Sequence, residues 1–340
     1  MSTHLREVVI YAPDETPCAI DLSDNTNLWG MPPAARIAIA NAGPAVRYPS
    51  AYCGELKRAL SSHLGVDAAM IVTGCGSDDV LDSAMRALGN PGDTIAYPEP
   101  TFTMIPTIAR VNRLVPVGIA LRSDYTIDVD ALLAERAQIT YLCSPNNPTS
   151  TAIARADLER VVNAAAGIVI IDEAYAEFAG ANCIDLLGTS DRLFITRTMS
   201  KAFGLAGLRI GYGVSSAVLA TEVEKSRGPY KVNALAECAA VAVLRNGMSW
   251  VRDTVAESIS VRARLTREFG RRGFGVAPSA ANFLFVPTAD AREIARRLRT
   301  RGVAVRVFDA LPTFGSALRI TVGPWPAMDR LLAALDGDDA

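Results

Sequence analysis

Five short apolar segments of this 340-residue chain are each followed at once by side chains that could do chemistry. In chain order they precede a glycine-rich turn (residues 74–78), Phe102, Asn147, Asp172 and Lys201. Because ligands of open parallel sheets bind beyond the carboxyl ends of the strands, we expect these residues to meet at one site. An anion-binding turn, an aromatic, an amide, a carboxylate and an amine together suit a ligand that carries a phosphate and a polar ring.

Pyridoxal 5′-phosphate (PLP) fits this set, because each part of the cofactor would find a partner of suitable chemistry. A helix that begins at Gly76, Ser77 and Asp78 would present free N–H groups and the positive end of its dipole to the phosphate. The phosphate-binding cup would be completed by Thr198, Ser200 and Arg209, the last as a bidentate fork.

The ring of PLP would be held from the ends of the other strands. Asp172 would pair with a protonated pyridine nitrogen, which makes the ring an electron sink. Asn147 and Tyr175 would hydrogen-bond the phenolic oxygen, and Phe102 would stack on the ring face. Lys201 would form the Schiff base and, once displaced by substrate, serve as the general base at Cα. The residues therefore predict PLP-dependent carbanion chemistry.

The elements that must position these residues alternate between strands and helices. The predicted strands are 70–73, 94–97, 139–143, 167–172, 192–196 and 208–213, and the helices include 54–66, 77–88 and 157–166. Strands that are apolar throughout and separated by helices are typical of a mostly parallel sheet covered on both faces. We therefore expect an α/β fold with a large doubly wound cofactor-binding domain over residues 36–233.

After about residue 235 the pattern changes to longer helices and alternating strands. The predicted helices are 234–246, 261–273, 291–300 and 326–335, and the predicted strands are 282–287, 302–308 and 317–323. Together with an N-terminal arm over residues 1–35, residues 234–340 are predicted to form a smaller α+β domain.

The composition excludes several classes of function. Lys and Arg number 34 against 36 Asp and Glu, and the formal charge of −2 argues against nucleic acid as a partner. The two histidines, His4 and His63, have no partner at metal-ligand spacing, so no metal is expected. The longest strongly apolar runs, such as residues 164–171, are too short to span a bilayer. Six cysteines without a C-x-x-C pair or a secretory signal predict reduced thiols and a cytoplasmic protein.

Longer motifs resemble the class I and II aminotransferases of fold type I, and among them the histidinol-phosphate aminotransferase-like subgroup. The matching motifs are LSDNTNLWG, RYPSAYCGELKRAL, SPNNPTS, DEAYAEF, RTMSKAFGLAGLRIGY, RGPYKVN, PSAANFLFV and ALRITVG, which extend from about residue 20 to 330. The resemblance implies a PLP-dependent transaminase of amino-acid biosynthesis that works by a ping-pong mechanism. By the same resemblance glutamate is the expected donor and a keto or phospho-keto compound the acceptor.

The resemblance also implies a homodimer with shared active sites. Tyr48 would reach the cofactor phosphate of the other subunit. Arg319 would hold the substrate carboxylate or, with Arg306, a substrate phosphate. Asn25, within LSDNTNLWG, and Tyr11, in the N-terminal arm, would line the substrate pocket.

Five positions depart from the subgroup that the motifs resemble. They are Cys75 in place of Asn, Ser150 in place of Gly, Leu28 in place of Pro, Thr26 in place of Glu and Lys231 in place of Asn. All cofactor roles are intact, so these departures bear on substrate more than on chemistry. An aromatic or other amino-acid aminotransferase of the same subgroup remains open, as does a PLP decarboxylase like threonine-phosphate decarboxylase.

Overall fold

The structure is a computed structural model, and it describes residues 3–6, 8, 10, 12, 16–43 and 46–337. The strands are β1 Ile20–Asp21, β2 Ile71–Cys75, β3 Thr94–Glu99, β4 Val115–Ala120, β5 Ile139–Cys143, β6 Ile168–Asp172, β7 Leu193–Thr198, β8 Ile210–Ser215, β9 Phe283–Pro287, β10 Val303–Ala304, β11 Arg306–Leu311 and β12 Gly315–Thr321. The α-helices are α1 Pro33–Ala40, α2 Gly54–Leu64, α3 Gly76–Leu88, α4 Met104–Val111, α5 Val129–Ala134, α6 Arg155–Ala164, α7 Ala176–Ala179, α8 Ala217–Arg227, α9 Ala234–Asn246, α10 Met248–Arg271, α11 Ala291–Thr300 and α12 Trp325–Asp336.

Seven of these strands form one sheet in the order β2-β8-β7-β6-β5-β3-β4. Neighbouring strands from β7 to β4 are parallel, whereas β8 is antiparallel to both β2 and β7. Successive residues of β6, Ile170 and Ile171, are fully buried in two different apolar clusters, because side chains alternate between the faces of a strand. A sheet with a core on each face confirms the predicted doubly wound, mostly parallel α/β architecture.

Two elements of this part differ from the sequence prediction. β4 was not predicted, because it is an edge strand whose residues are partly exposed and include Pro116. The last strand begins at Ile210 rather than at residue 208 and runs antiparallel. Arg209, just before it, has a positive φ of 54°, which keeps that residue out of the strand.

The helix predicted over 261–273 is the second half of a 24-residue helix, α10. Two of the buried positions in its first half are occupied by Thr254 and Ser258, so the apolar spacing begins only at Val261. The sequence pattern therefore does not predict the first half of this helix. Within the described residues no helix, α10 included, is long and apolar enough to cross a membrane.

The second part of the structure is built on a three-stranded antiparallel sheet in the order β11-β12-β9. Its apolar cluster joins this sheet to α10, α11 and α12 and includes Leu22 of the N-terminal segment. That segment is held by the parallel pair β1·β10 and by Leu22, whose carbonyl accepts from Thr321 N at 2.9 Å. The division into residues 36–233 and the remainder stays a prediction.

The large sheet brings the predicted chemistry to one edge. Cys143 and Thr196 lie opposite Asp172 on the two strands that flank β6. The loops that follow β5, β6 and β7 therefore leave the sheet side by side, since the three strands are parallel. α3 begins directly after β2, which runs in the same direction.

Candidate active site

A cavity of about 420 Å³ lies where these loops meet α3 and the three-stranded sheet, a volume that suits a small ligand. Its lining contains most of the predicted site residues: Asn25, Ser77, Asp78, Phe102, Asn147, Asp172, Tyr175, Thr198, Ser200, Lys201, Arg209, Arg306 and Arg319. Among the residues that the structure describes, no group of three or more His, Cys, Asp or Glu is placed to hold a metal ion. The residues that line the cavity supply several cationic and hydrogen-bonding side chains.

Lys201 is one of four lysines in the chain and is the one that lines this cavity. Each of the other three pairs with a carboxylate, in the pairs Lys57–Glu224, Lys225–Glu222 and Lys231–Asp79. Lys201 Nζ instead donates to the backbone oxygen of Asp24 at 3.1 Å. Burial, and then the charge of Arg319, lower the pKa of Lys201 to about 8, because both disfavour the ammonium form. Its amine is therefore less often charged near neutral pH than that of an ordinary lysine, as a nucleophile requires.

Asp172 ends β6 and is 3% exposed. Its Oδ2 accepts from the hydroxyl of Tyr141 at 2.8 Å, and its Oδ1 accepts from Ala174 N at 3.1 Å. Burial raises the pKa of Asp172 to about 7, although both hydrogen bonds favour the carboxylate. A cation placed against this carboxyl group would favour its charged form, so the site suits a protonated ring nitrogen.

Asn147 and Tyr175, the two residues predicted at the ring oxygen, are hydrogen-bonded to predicted substrate residues. Arg319 Nη1 donates to Asn147 Oδ1 at 2.8 Å, and Asn25 Nδ2 donates to the Tyr175 hydroxyl at 3.1 Å. The Tyr175 ring packs edge-on against Phe283 at 5.1 Å between centroids, and burial raises the pKa of Tyr175 above its ordinary value. Hydrogen bonds therefore join the residues predicted at the ring to those predicted at the substrate.

Thr198, Ser200 and Arg209 form a cup beside the first turn of α3. Thr198 Oγ1 donates to Ser200 Oγ at 2.9 Å, and Arg209 Nη1 donates to the same oxygen at 3.3 Å. Arg209 also forms an ion pair of 3.3 Å with Asp78 in the first turn of α3. A Cβ atom at Gly76, whose φ is +83°, would clash with the Arg209 guanidinium, so glycine lets the cation approach the helix N-terminus. Hydroxyls, a guanidinium and the N–H groups of a helix start fit a phosphate group.

A second cationic region lies on the three-stranded sheet. Arg306 and Arg319 are directly opposite each other on β11 and β12, and both line the cavity. The Arg319 guanidinium lies 5.6 Å from the ring of Phe283 and 5.7 Å from that of Phe308, and its Nη2 donates to Ser23 O. These two guanidinium groups lie on a different sheet from the strands that carry the cup, and their chemistry suits an anion.

Of the predicted site residues that the structure describes, Gly76 and Tyr48 are not among those that line this chain's cavity. Tyr48 is 84% exposed and stacks on Tyr230 at 5.0 Å between ring centroids. Tyr11 lies outside the described residues, so its predicted role stays a prediction.

Sequence reasoning missed several residues that line or support the cavity. Asp24, Met104, Cys143 and Phe308 line it, and Tyr141 lies behind Asp172. Phe308 could have been found, because it lies two residues after Arg306 on a predicted strand and so on the same face. Tyr141 lies two residues before Cys143 and therefore on the same face of its strand. Because a tyrosine in a buried strand is more often a core residue, this position alone does not indicate a role at the site.

Comparisons with known proteins identify the family and the fold of this chain. The family described as "Aminotransferase class I and II" matches residues 18–335. The histidinol-phosphate aminotransferase of Thermoanaerobacter pseudethanolicus is 37% identical over 293 residues, which cover 85% of this chain and 83% of the relative. That of Roseiflexus castenholzii is 38% identical over 331 residues, 93% of this chain and 88% of the relative. The crystal structure of histidinol-phosphate aminotransferase from Sinorhizobium meliloti in complex with pyridoxal-5′-phosphate aligns with a TM-score of 0.89 at 25% identity and covers 98% of this chain and 96% of that chain.

Proposed function

The chain belongs to the class I and II aminotransferase family and is a PLP-dependent transaminase, and on that premise we propose its substrates. It moves an amino group from glutamate to the keto partner of histidinol phosphate. The observation that carries this proposal is the pair Arg306 and Arg319, which adds a second anion-binding region to the phosphate cup. Two planar guanidinium groups suit both a substrate phosphate and a substrate carboxylate. The names of the relatives at 37% and 38% identity support the same substrate.

We assign the binding of PLP to residues that the cavity holds together. The first turn of α3 with Thr198, Ser200 and Arg209 binds the phosphate. Asp172 would pair with the ring nitrogen, Asn147 and Tyr175 would hydrogen-bond the phenolic oxygen, and Phe102 would pack on the ring. When bound, PLP supplies an electron sink for the charge that develops at the substrate's Cα.

Lys201 has two tasks in this proposal. Its Nζ would hold the cofactor, and once released by the substrate this amine would accept the proton from the substrate's Cα and pass it on, with the cofactor supplying the electron sink. The pKa of about 8 supports the second task, because an amine must be uncharged to accept a proton. Arg319, through its bond to Asn147, aligns the substrate with the ring, which determines the bond that breaks.

We also propose a cytoplasmic homodimer with shared sites. Tyr48 and Tyr230 form a stacked aromatic pair whose members are 84% and 46% exposed, and tyrosine is a side chain enriched at protein–protein interfaces. In the dimer Tyr48 contacts the phosphate cup of the partner subunit. All six cysteines are free thiols, which supports a reducing compartment.

A half-reaction screen tests the substrate proposal. The PLP form is mixed in turn with histidinol phosphate, glutamate, phenylalanine and tyrosine, and the loss of cofactor absorbance is followed. Histidinol phosphate and glutamate should both react, without release of carbon dioxide. Reaction with phenylalanine or tyrosine but not with histidinol phosphate would assign the aromatic branch, and carbon dioxide release would assign a decarboxylase. Lys201→Ala is the inactive control.

A further inference from the structure

We propose that Tyr141 is a positioning residue that keeps the carboxylate of Asp172 charged and oriented toward the ring nitrogen of the cofactor. The proposal rests on the proposed function, in which Asp172 pairs with that nitrogen. Tyr141 is not among the described residues that line the cavity. It therefore acts through Asp172 and touches neither the substrate nor the cofactor.

The register of β5 and β6 brings the two side chains together. Cys143 lies opposite Asp172, and Tyr141 lies opposite Ile170, so Tyr141 and Asp172 are diagonal neighbours on one face of the sheet. Tyr141 is fully buried, and its hydroxyl donates to Asp172 Oδ2 at 2.8 Å. Because Ala174 N holds the other oxygen at 3.1 Å, the plane of the carboxyl group is fixed from both sides.

The charges around Asp172 explain why it needs this donor. The titratable groups that face it are Tyr141 and Cys143 from β5, Asp78 from α3, and Glu173 and Tyr175 from its own segment. Burial and the two acidic neighbours disfavour its charge, whereas the Tyr141 hydrogen bond favours it. Burial and the Asp172 charge also raise the pKa of Tyr141 well above its ordinary value, so its hydroxyl remains a donor at any working pH.

Tyr212 offers a matched control. It is also fully buried in the seven-stranded sheet, on β8, but its charged neighbours are Arg197, Glu177 and Glu173 rather than Asp172. Tyr212→Phe therefore removes the same hydroxyl from the same depth of the core without touching the proposed interaction.

The first experiment measures the ionisation of Asp172 in the full-length protein freed of PLP. Aspartates are labelled with ¹³C at the carboxyl carbon, and Asp172→Asn identifies the resonance. Tyr141→Phe should raise the pKa of Asp172 by about one pH unit, the effect of one hydrogen bond to a charged group. Tyr212→Phe should leave it unchanged. An unchanged pKa in Tyr141→Phe, or an equal rise in both variants, would overturn the proposal.

The second experiment uses the holoenzyme with ¹⁵N in the cofactor ring. In Tyr141→Phe the ring nitrogen should lose its proton at a lower pH than in the wild type, and the half-reaction should slow about tenfold at unchanged substrate Kd. A ring nitrogen that titrates as in the wild type would contradict the proposal. If the ring nitrogen keeps its proton in Asp172→Asn, the proposed role of Asp172 is refuted. The effect of Tyr141→Phe on the pKa of Asp172 in the PLP-free protein would then still stand.

A third variant covers the case in which Tyr141→Phe does not fold. Site-specific 3-fluorotyrosine at position 141 keeps the size of the side chain and makes its hydroxyl a stronger donor. The pKa of Asp172 should then fall rather than rise. A folded fluorotyrosine protein with an unshifted Asp172 would overturn the proposal.

Discussion

At the residue scale, burial shifts the pKa values of two groups in the cavity, Lys201 and Asp172, in opposite directions. It lowers the pKa of Lys201 to about 8 and raises the pKa of Asp172 to about 7, because desolvation disfavours the charged form of each. The amine, which must act uncharged, gains from its shift, whereas the shift of Asp172 opposes the charge that a cationic partner needs. The hydrogen bonds from Tyr141 and from the backbone of Ala174, and a cation placed against the carboxyl group, favour the charged form of Asp172.

Covalent labelling tests the assignment of Lys201. Borohydride reduction of the holoenzyme should fix PLP on Lys201, and peptide mass spectrometry separates it from Lys57, Lys225 and Lys231. Lys201→Ala should still bind PLP through the phosphate cup but lose turnover by several orders of magnitude, since the amine both holds the cofactor and moves the proton. Lys231→Arg, which keeps a cation beside Asp79, is the control. Label on any other lysine would refute the assignment.

The buried charge of Asp172 should make stability depend on pH in the PLP-free protein. Its pKa of about 7 lies above the ordinary 3.8, so its stabilising contribution is complete below about pH 4 and is lost as pH rises through 7. Asparagine does not titrate. The free energy of unfolding of Asp172→Asn, relative to the wild type, should therefore rise by about 2–3 kcal/mol between pH 5 and pH 8.

Urea unfolding at several pH values measures this difference. A difference that is the same at pH 5 and pH 8 would contradict a buried, protonatable Asp172. With PLP bound, the same variant should slow the step at Cα, because a neutral amide does not hold the proton of the ring nitrogen.

The two cavity arginines should differ in their effects on substrate. Arg319→Ala should raise KM for both half-reactions, by roughly 2–4 kcal/mol of binding, because it removes a desolvated charge pair. Arg306→Ala should impair only the phosphorylated substrate. Arg292→Ala, which breaks an exposed pair with Asp309 on the same part of the molecule, is the control. If Arg306→Ala damages glutamate and histidinol phosphate equally, its role is not specific to phosphate.

At the element scale, the site depends on where strands end and helices begin. The parallel register of β5, β6 and β7 aligns Cys143, Asp172 and Thr196, so the loops that carry Asn147, Tyr175 and Lys201 emerge together. Arg209 approaches the start of α3 at Gly76. A side chain at Gly76 would clash with the Arg209 guanidinium and block this approach. The phosphate cup is therefore a property of the junction between two elements rather than of one motif.

Two glycines with similar backbone strain test this junction. Gly76 and Gly92 both have positive φ, +83° and +95°, but a Cβ atom at Gly92 would meet nothing within 4 Å. Substitution by Ala at either position should cost about 1–2 kcal/mol of stability. Gly76→Ala alone should also weaken PLP binding, by about tenfold or more, because Arg209 must move away. Fluorescence titration with PLP measures the affinity, and thermal unfolding measures the stability. Equal PLP affinities of Gly76→Ala and Gly92→Ala would contradict the proposed phosphate cup.

At the scale of the whole molecule, the cavity is closed by three parts of the chain. The N-terminal segment contributes Asn25, whose backbone oxygen accepts from Asn282 of the second part at 3.1 Å. The loop after β5 of the seven-stranded sheet contributes Asn147, which accepts from Arg319 of the three-stranded sheet. The residues proposed for the cofactor and those proposed for the substrate thus meet only when these parts are packed together.

Mixed dimers test whether the site also includes the partner subunit. Tyr48→Phe and Lys201→Ala subunits are combined, so that in a mixed dimer one site carries both changes and the other neither. Activity above that of both parent homodimers would support sharing, because the unaltered site is restored. No recovery despite proven subunit exchange would contradict it. Light scattering of the wild type gives the oligomeric state independently.

The sequence by itself determined the parts of this protein that depend on local pattern. Apolar strands that alternate with helices predicted the α/β fold, and the confirmed family and cofactor were already evident from motifs such as RTMSKAFGLAGLRIGY. Asp172 and Lys201 could be named because Asp172 ends one buried strand and Lys201 lies in the loop that follows another. Elements without a clear apolar period, such as β4 and the first half of α10, were missed.

Only the tertiary structure decided which of these residues touch. The hydrogen bond between Arg319 and Asn147 joins residues 172 positions apart, and that between Tyr141 and Asp172 depends on the register of two strands. The lowered pKa of Lys201 and the raised pKa of Asp172 likewise come from burial by many distant segments. Hydrophobic periodicity reports which face of an element is buried, whereas desolvation and hydrogen bonding depend on what that face is buried against.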